Sequence, residues 1–243
     1  MRITLALVFS AAAFAQQAAP PQIPWNLRSI YQLVNDYGNL ARYAADNEKL
    51  PPPAAGEERV VFMGDSITDG WGRGNNGSTF FPGKPYVNRG ISGQVTAQML
   101  LRFYPDVIAL KPKAVLILAG TNDIGGNIGP VPLTTIENNL IAMSDMARAN
   151  GIKVILASLT PVCDYHRPQT AARPPEQINA LNRWIKSYTE KNHLVYLDYF
   201  SSTVDDRGFF KAEITEDGLH PNAAGYKIMG PLAEKAIAEA LGK

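Results

Sequence analysis

Cysteine and histidine are scarce in this chain of 243 residues. The single cysteine, Cys163, excludes an intramolecular disulfide, so the fold depends on a hydrophobic core, which a chain of this size can supply. The three histidines, His166, His193 and His220, are far apart in the sequence and lack the spacing of a metal site. We therefore predict that the protein binds no metal and needs no cofactor.

An excess of charge and a long hydrophobic run are also missing. The chain carries 23 basic and 22 acidic side chains, which gives a formal charge of +1. A nearly neutral protein has no electrostatic attraction for nucleic acid or for an anionic membrane surface. The apolar run from Ile3 to Ala15 is too short to span a bilayer. We accordingly expect no nucleic-acid partner and no stable insertion into a membrane.

The N-terminal residues have the pattern of a secretory signal peptide. Arg2 supplies a positive charge, the apolar run follows, and Ala13-Phe14-Ala15 fits a cleavage site of the small-x-small type. The alternative is a buried N-terminal helix, but the polar, proline-rich stretch over 16–24 would leave such a helix unattached. We expect a secreted or periplasmic protein. Its predicted parts are a signal peptide (1–15), a leader with an N-terminal helix (16–58) and one domain (59–243).

Beyond the leader, short β-branched runs alternate with amphipathic stretches. Buried strands are predicted at 59–63, 86–88, 114–118, 153–156 and 194–197. Helices are predicted at 27–47, 94–104, 135–149, 176–191 and 223–241. The helix over 135–149 is preceded by the spacing of a capping box, from Thr134 to Glu137. This alternation predicts an α/β fold in which helices cover both faces of a parallel sheet.

Four short peptides carry the residues of a reactive site. They are Gly64-Asp65-Ser66-Ile67-Thr68, Ile91-Ser92-Gly93, Gly120-Thr121-Asn122-Asp123 and Asp217-Gly218-Leu219-His220. The first three follow predicted strands, and the fourth precedes the last predicted helix. Because loops converge at the carboxyl ends of parallel strands, we expect the peptides to meet there.

Together, these residues supply the groups that an enzyme needs to cleave an ester. A serine hydroxyl such as that of Ser66 needs a base within hydrogen-bond reach, and His220 is the preferred candidate. Asp217 lies three residues earlier, so one loop can hold its carboxylate against the far nitrogen of the imidazole. The backbone N–H groups of Ser66 and Gly93 and the side-chain amide of Asn122 are the expected donors to the developing oxyanion.

The four peptides resemble those of the SGNH, or GDSL-type, hydrolase superfamily, and the resemblance covers residues 59–222. It implies a flavodoxin-like, three-layer α/β/α fold with five parallel strands. It also implies Ser66 as the nucleophile, Asp217 and His220 as its triad partners, and Gly93 and Asn122 as oxyanion donors. The longer segments around the first three peptides, 64–71, 88–94 and 120–124, most resemble the branch of platelet-activating-factor acetylhydrolase catalytic subunits and secreted bacterial acetylesterases.

Several substrates and activities are compatible with these motifs. Export, neutrality and the lack of a long apolar lid segment favour short acyl groups, above all acetate, on carbohydrates, so a small-molecule or polysaccharide ester is the expected partner. A lysophospholipase or lipid acetylhydrolase is the alternative, and transfer of the acyl group to an alcohol uses the same intermediate. A non-catalytic glycan-binding protein would be expected to have lost at least one of Ser66, Asn122, Asp217 and His220, and all four are present. A proline-rich loop over 161–175 is expected at the substrate mouth.

Some neighbours of the predicted site have two interpretations. Asp65 and Asp123 flank the proposed nucleophile and the proposed amide donor, and we interpret them as structural acceptors of backbone N–H groups in their loops. The aromatic residues Trp71, Phe80 and Phe81 either stack on a sugar or acyl group or pack beneath their glycine-rich loop. The sequence leaves both interpretations of the aromatic residues open.

Overall fold

The computed structural model describes residues 28–73 and 76–243. The predicted signal peptide (1–15) and the leader up to residue 27 lie outside the described residues. In the described part, the chain forms a five-stranded sheet in which every pairing is parallel. The strands are β1 (Val60–Gly64), β2 (Tyr86–Gly90), β3 (Ala114–Leu118), β4 (Lys153–Ala157) and β5 (Val195–Leu197).

The strand order is β2-β1-β3-β4-β5, which confirms the predicted flavodoxin-like sheet. Val60 of β1 pairs with Tyr86 of β2 on one side and with Ala114 of β3 on the other. Every residue of β1 and β3 is buried, as expected for central strands covered on both faces. The chain leaves β1 toward one edge and returns on its other side, so β1 and β3 define a topological switch point.

Helices cover the sheet in two layers and close a three-layer α/β/α fold. The helices are α1 (Arg28–Asn35), α2 (Ala41–Lys49), α3 (Ser66–Asp69), α4 (Thr96–Asp106), α5 (Thr121–Ile124), α6 (Leu133–Ala149), α7 (Pro175–Asn192), α8 (Phe200–Thr203) and α9 (Ala223–Ala240). Helices α4, α6 and α7 pack side by side in one layer, while α9 packs on strands β3, β4 and β5. None of the helices in the described residues is long and apolar enough to cross a membrane.

The single helix predicted over 27–47 is wrong, because α1 and α2 are separate. Asp36 interrupts the pattern, since its carboxylate accepts the backbone N–H groups of Leu40 and Ala41 at 2.8 and 3.0 Å. Asn39 has a left-handed conformation with a φ of 54°. A side-chain acceptor of this kind competes with the helical backbone and starts a new helix.

The predicted capping box before α6 is also wrong. The helix begins at Leu133, and the residue before it, Pro132, offers no side-chain oxygen to cap it. Thr134 therefore lies inside the helix rather than at its N-cap. Leu133 packs against the core, which explains why the helix extends back to this residue.

Candidate active site

Three of the four peptides lie on neighbouring loops at the carboxyl edge of the sheet. Ser66 follows β1, Gly93 follows β2, and Asn122 follows β3. Because β1 lies between β2 and β3, the order of the strands places these loops side by side at the switch point. The amide of Asn122 donates to the carbonyl oxygen of Gln94 at 3.1 Å, which ties the second and third loops together.

The fourth peptide brings its histidine to the serine. His220 Nε2 lies 2.8 Å from Ser66 Oγ, and His220 Nδ1 lies 2.6 Å from Asp217 Oδ2. A carboxylate only accepts hydrogen bonds, so it holds the imidazole proton on Nδ1 and leaves Nε2 to accept from the serine hydroxyl. The geometry therefore forms a continuous hydrogen-bonded chain from Asp217 through His220 to Ser66.

Asp217 also fixes the loop that carries its partner. Its Oδ1 accepts the backbone N–H groups of Leu219 at 2.9 Å and of His220 at 2.8 Å. Burial by itself favours the neutral carboxyl, but hydrogen bonds from the His220 ring and from these two N–H groups outweigh it and hold the pKa of Asp217 below its ordinary value. The carboxylate of Asp217 is therefore ionised at every pH at which His220 can act as a base.

The loop that carries Asp217 and His220 comes so close to the 161–175 loop that position 218 has to be a glycine. Gly218 has a φ of +82°, and a Cβ there would lie 2.1 Å from the carbonyl oxygen of Cys163. The two backbones are joined by a hydrogen bond of 2.9 Å from Cys163 N–H to the Gly218 carbonyl. Any side chain at Gly218 would push Asp217 and His220 away from the nucleophile.

Hydrogen-bond donors remain available beside the serine. Among the described residues, the backbone N–H groups of Ser66 and Gly93 have no protein acceptor. The Asn122 amide uses one hydrogen on the Gln94 carbonyl, which leaves its second N–H available. The site therefore presents the two backbone donors and the amide donor that the sequence predicted on neighbouring loops.

Carboxylates hold the Gly93 loop on both of its sides. Asp69 Oδ2 accepts Ser92 N–H at 3.2 Å and Ser92 Oγ–H at 2.7 Å. Asp123 accepts the N–H of Thr96 at 3.0 Å and its hydroxyl at 2.5 Å. The structural interpretation of Asp123 thus matches its contacts. Sequence reasoning missed Asp69, whose partner lies 23 positions further along the chain, although its place directly after the first peptide is a signal that could have drawn attention to it.

A polar cleft of about 460 Å³ opens beside Ser66 and His220. Arg167 lines it, so the 161–175 loop reaches the mouth of the cleft as predicted. The other polar side chains that line it are Asn76, Ser92, Glu216, Asp217, Asn222 and Tyr226. Charges of both signs and two carboxamides are groups that hydrogen-bond well to hydroxyls.

The aromatic residues after the nucleophile pack with one another. Trp71 is only 4% exposed, and its ring centroid lies 5.0 Å from those of Phe81 and Tyr226. Phe80 and Phe81 form an edge-to-face pair at 5.1 Å. Stacking of Trp71 on a ligand is therefore wrong, and packing beneath the loop explains this residue.

The other histidines do not join the site. His166 Nε2 contacts the carbonyl oxygen of Ala212 at 3.0 Å, and His193 ends α7 in a left-handed conformation. Within residues 28–73 and 76–243, no group of three or more His, Cys, Asp or Glu side chains could hold a metal ion.

Asp65 is a buried carboxyl directly before Ser66. It caps α3 by accepting the N–H of Ile67 at 3.0 Å, which agrees with a structural role. Burial is the main reason that the pKa of Asp65 rises from 3.8 to about 6, although the charges of His220 and Arg173 act in the opposite direction. The folded protein therefore holds this proton more tightly than the unfolded chain does.

This difference gives a prediction for stability. Between pH 3.8 and about 6 the folded state binds more protons at Asp65 than the unfolded state, so its contribution to the free energy of unfolding falls as pH rises through this range. Asp65→Asn mimics the protonated carboxyl. We expect the variant to exceed the wild type in unfolding free energy at pH 8 by up to about 2–3 kcal/mol, and this difference to close by pH 4.

Urea unfolding at several pH values measures this effect. Asp145→Asn, on an exposed side chain of α6, is the matched control and is expected to leave the free energy of unfolding at pH 8 within about 0.5 kcal/mol of the wild type. A difference between Asp65→Asn and the wild type that widens toward acid pH would contradict the assignment.

Comparisons with known proteins agree with this geometry. The model of the GDSL-like lipase/acylhydrolase family matches residues 62–228. The structure of a GDSL-like lipase from Bacteroides thetaiotaomicron superposes with a TM-score of 0.77 at 39% identity, covering 84% of this chain and 100% of that one.

Two curated relatives are similar over parts of the chain. An acetylxylan esterase of Geobacillus stearothermophilus is 26% identical over an alignment 203 residues long, which covers 71% of this chain and 90% of the esterase. The lipoprotein YqeF of Bacillus subtilis is 33% identical over an alignment 116 residues long, which covers 43% of this chain and 47% of YqeF, so this chain spans about half of that relative's length. The matched range contains strands β2 to β5, most of β1 and all three residues of the hydrogen-bonded chain described above, Ser66, Asp217 and His220. The chain therefore belongs to the GDSL-like lipase/acylhydrolase family and, with that family, to the carboxylic ester hydrolases.

Proposed function

We propose that this protein is a serine esterase that works through an acyl-enzyme at Ser66. The observation that carries the proposal is the chain of hydrogen bonds from Asp217 through His220 to Ser66, with contacts of 2.6 and 2.8 Å. His220 takes the proton of the hydroxyl as Ser66 Oγ bonds to the ester carbonyl carbon. The same imidazole then gives that proton to the departing alcohol.

Water completes the reaction in a second round of the same chemistry. His220 removes a proton from water, whose oxygen attacks the acyl carbon, and the proton returns to Ser66 as the acid leaves. Asp217 stabilises the imidazolium in both rounds. The N–H groups of Ser66, Gly93 and Asn122 bind the oxygen that becomes negative in each tetrahedral intermediate.

The proposed substrate is a short acyl ester, acetate above all, on a carbohydrate. Support comes from the polar lining of the cleft, where Arg167, Glu216 and Asn222 offer hydrogen bonds to sugar hydroxyls on the side of His220. The similarity to an acetylxylan esterase points the same way. Export of the protein is also part of the proposal, and it is supported by the signal-peptide pattern over 1–15 and by the similarity to a lipoprotein.

A second candidate substrate is a lipid ester. A groove of about 360 Å³ lies next to Gly93 and shares the lining residue Ser92 with the cleft. Its apolar lining residues are Leu33, Tyr37, Ile91 and Ile128. Leu33 and Ile128 are 45% and 39% exposed, so an acyl chain seated there would cover apolar surface.

Hydrolysis of a matched series of acetate, butyrate, octanoate and palmitate esters distinguishes these candidates, and release of acetate from acetylated xylan tests the carbohydrate directly. We expect kcat/KM to be highest for acetate and to fall by at least about tenfold by octanoate, because most of the side chains that line the cleft are polar.

Leu33→Ser is the matched variant for the groove. It should leave acetate hydrolysis unchanged if the acyl group is short, and reduce octanoate hydrolysis if the groove binds the chain. A rate that rises with chain length and falls in Leu33→Ser would establish the lipid ester and overturn the carbohydrate ester.

A further inference from the structure

Arg173 lies near the end of the 161–175 loop and contacts the residue proposed as the amide donor. Its Nη2 donates to Asn122 Oδ1 over 3.4 Å, a long contact. Its Nη1 donates to Gln169 Oε1 at 3.2 Å, and Gln169 Nε2 donates to the carbonyl oxygen of Asp217 at 3.0 Å. Arg173 thus connects the Asn122 loop with the Asp217 loop.

The guanidinium is held against backbone rather than extended into solvent. A Cβ at Gly125 would lie 2.8 Å from Arg173 Nη2, 2.9 Å from its Cζ and 3.1 Å from its Nε. Gly125 directly follows α5, the short helix that contains Asn122. The absence of a side chain at Gly125 therefore lets the guanidinium reach the Asn122 amide.

The side-chain amide of Asn122 has a contact at its oxygen and another at its nitrogen, and the two contacts fix its orientation. A guanidinium only donates hydrogen bonds, and a carbonyl oxygen only accepts them. Asn122 Oδ1 faces Arg173, while Nδ2 faces the carbonyl oxygen of Gln94 at 3.1 Å. A flipped amide would place two donors together on one side and two acceptors together on the other. The amide is therefore held with its second N–H available.

The charge of Arg173 is unusual in its surroundings. Its Nε is buried without a hydrogen-bond partner, and no carboxylate of the described residues lies within ion-pairing distance of the guanidinium. Burial lowers the pKa of Arg173, while the more distant charges of Asp65 and Asp217 raise it. A cation in this position favours negative charge that develops nearby and polarises the amide that it contacts.

We propose that Arg173 is a positioning residue of the oxyanion hole. It orients the Asn122 amide and, through its charge on Oδ1, strengthens the N–H group that faces the oxyanion. This inference rests on the proposed function, in which Asn122 donates to the tetrahedral intermediate. Because the negative oxygen exists only after Ser66 attacks, the contribution of Arg173 falls on kcat and not on KM.

A double-mutant cycle of Arg173→Gln and Asn122→Ala tests the proposal with an acetate ester. Asn122→Ala is expected to lower kcat by about 10²–10³-fold, as for loss of an oxyanion donor. Arg173→Gln should lower kcat by about 10–100-fold and change KM by less than about threefold. In the Asn122→Ala background, the same substitution should cost less than about threefold, because no amide is left to orient.

Two further variants separate positioning from folding and from charge alone. Arg173→Lys keeps the charge but cannot span Gln169 and Asn122 together, so it should recover only part of the lost kcat. Arg183→Gln, on an exposed side chain of α7, is the matched control and should leave kcat unchanged. Thermal unfolding of each variant establishes that it is folded.

The outcomes separate this inference from the proposed function. An unchanged kcat in Arg173→Gln, an equal loss in the Asn122→Ala background, or a change confined to KM would overturn the role of Arg173. Ser66→Ala is measured in the same assay. If it is inactive while the cycle is additive, only the Arg173 inference fails. If it retains activity, the proposed function fails.

Discussion

Ser66→Ala is expected to reduce kcat for a short acetate ester by about 10⁶-fold. The alanine side chain has no oxygen to form the acyl-enzyme, and His220 loses the hydroxyl that its Nε2 contacts at 2.8 Å. Hydrolysis of p-nitrophenyl acetate by the purified variant measures the loss. A fluorophosphonate probe should label the wild type and leave the variant unlabelled.

Ser187→Ala is the matched control for this substitution. Ser187 is an exposed serine on α7, and its replacement should preserve both activity and labelling. Retention of more than about a tenth of wild-type activity by folded Ser66→Ala would remove Ser66 from the role of nucleophile.

Asp217→Asn is expected to lower kcat by about 10⁴-fold while the protein stays folded. The asparagine Oδ1 can still accept the N–H groups of Leu219 and His220, so the loop keeps its hydrogen bonds. Its NH₂ group then takes the place of Oδ2, 2.6 Å from His220 Nδ1. Because this NH₂ donates, Nδ1 has to accept, the imidazole proton moves to Nε2, and Nε2 can no longer take the proton of Ser66.

Steady-state kinetics together with a thermal melt test this prediction. Asp145→Asn, on the exposed surface of α6, provides a control for the same change of side chain and should keep full activity. A loss below about tenfold in folded Asp217→Asn would show that the carboxylate does not set the tautomer of His220.

Most of the fold follows from local patterns in the sequence. The strand predicted at 114–118 matches β3, and the other strand and helix predictions after residue 58 agree to within two residues at each end. These segments follow the pattern because burial on a sheet or helix has a fixed period in the sequence. The prediction of one N-terminal helix failed because the apolar period of residues 27–47 continues across Asp36, whose carboxylate instead accepts the N–H groups of Leu40 and Ala41 at the start of a second helix.

The site was predictable only in part. The chemistry of Ser66, Asp217 and His220 was readable from their residue types and order, and the structure brings the three into hydrogen-bond contact. Arg173 gave no signal, because it lies in an irregular loop and its contact to Asn122 spans 51 positions. Periodicity carries no information about such a pair.

The sequence by itself determined the α/β alternation, the reactive residue types and the family, because these depend on local periodicity and on short motifs. Only the tertiary structure decided which groups meet. Ser66 and His220 are 154 positions apart, and their contact exists because β1 ends beside the loop that precedes α9. The orientation of the Asn122 amide likewise depends on Gln94 and Arg173, which strand order and loop packing bring to opposite ends of one side chain.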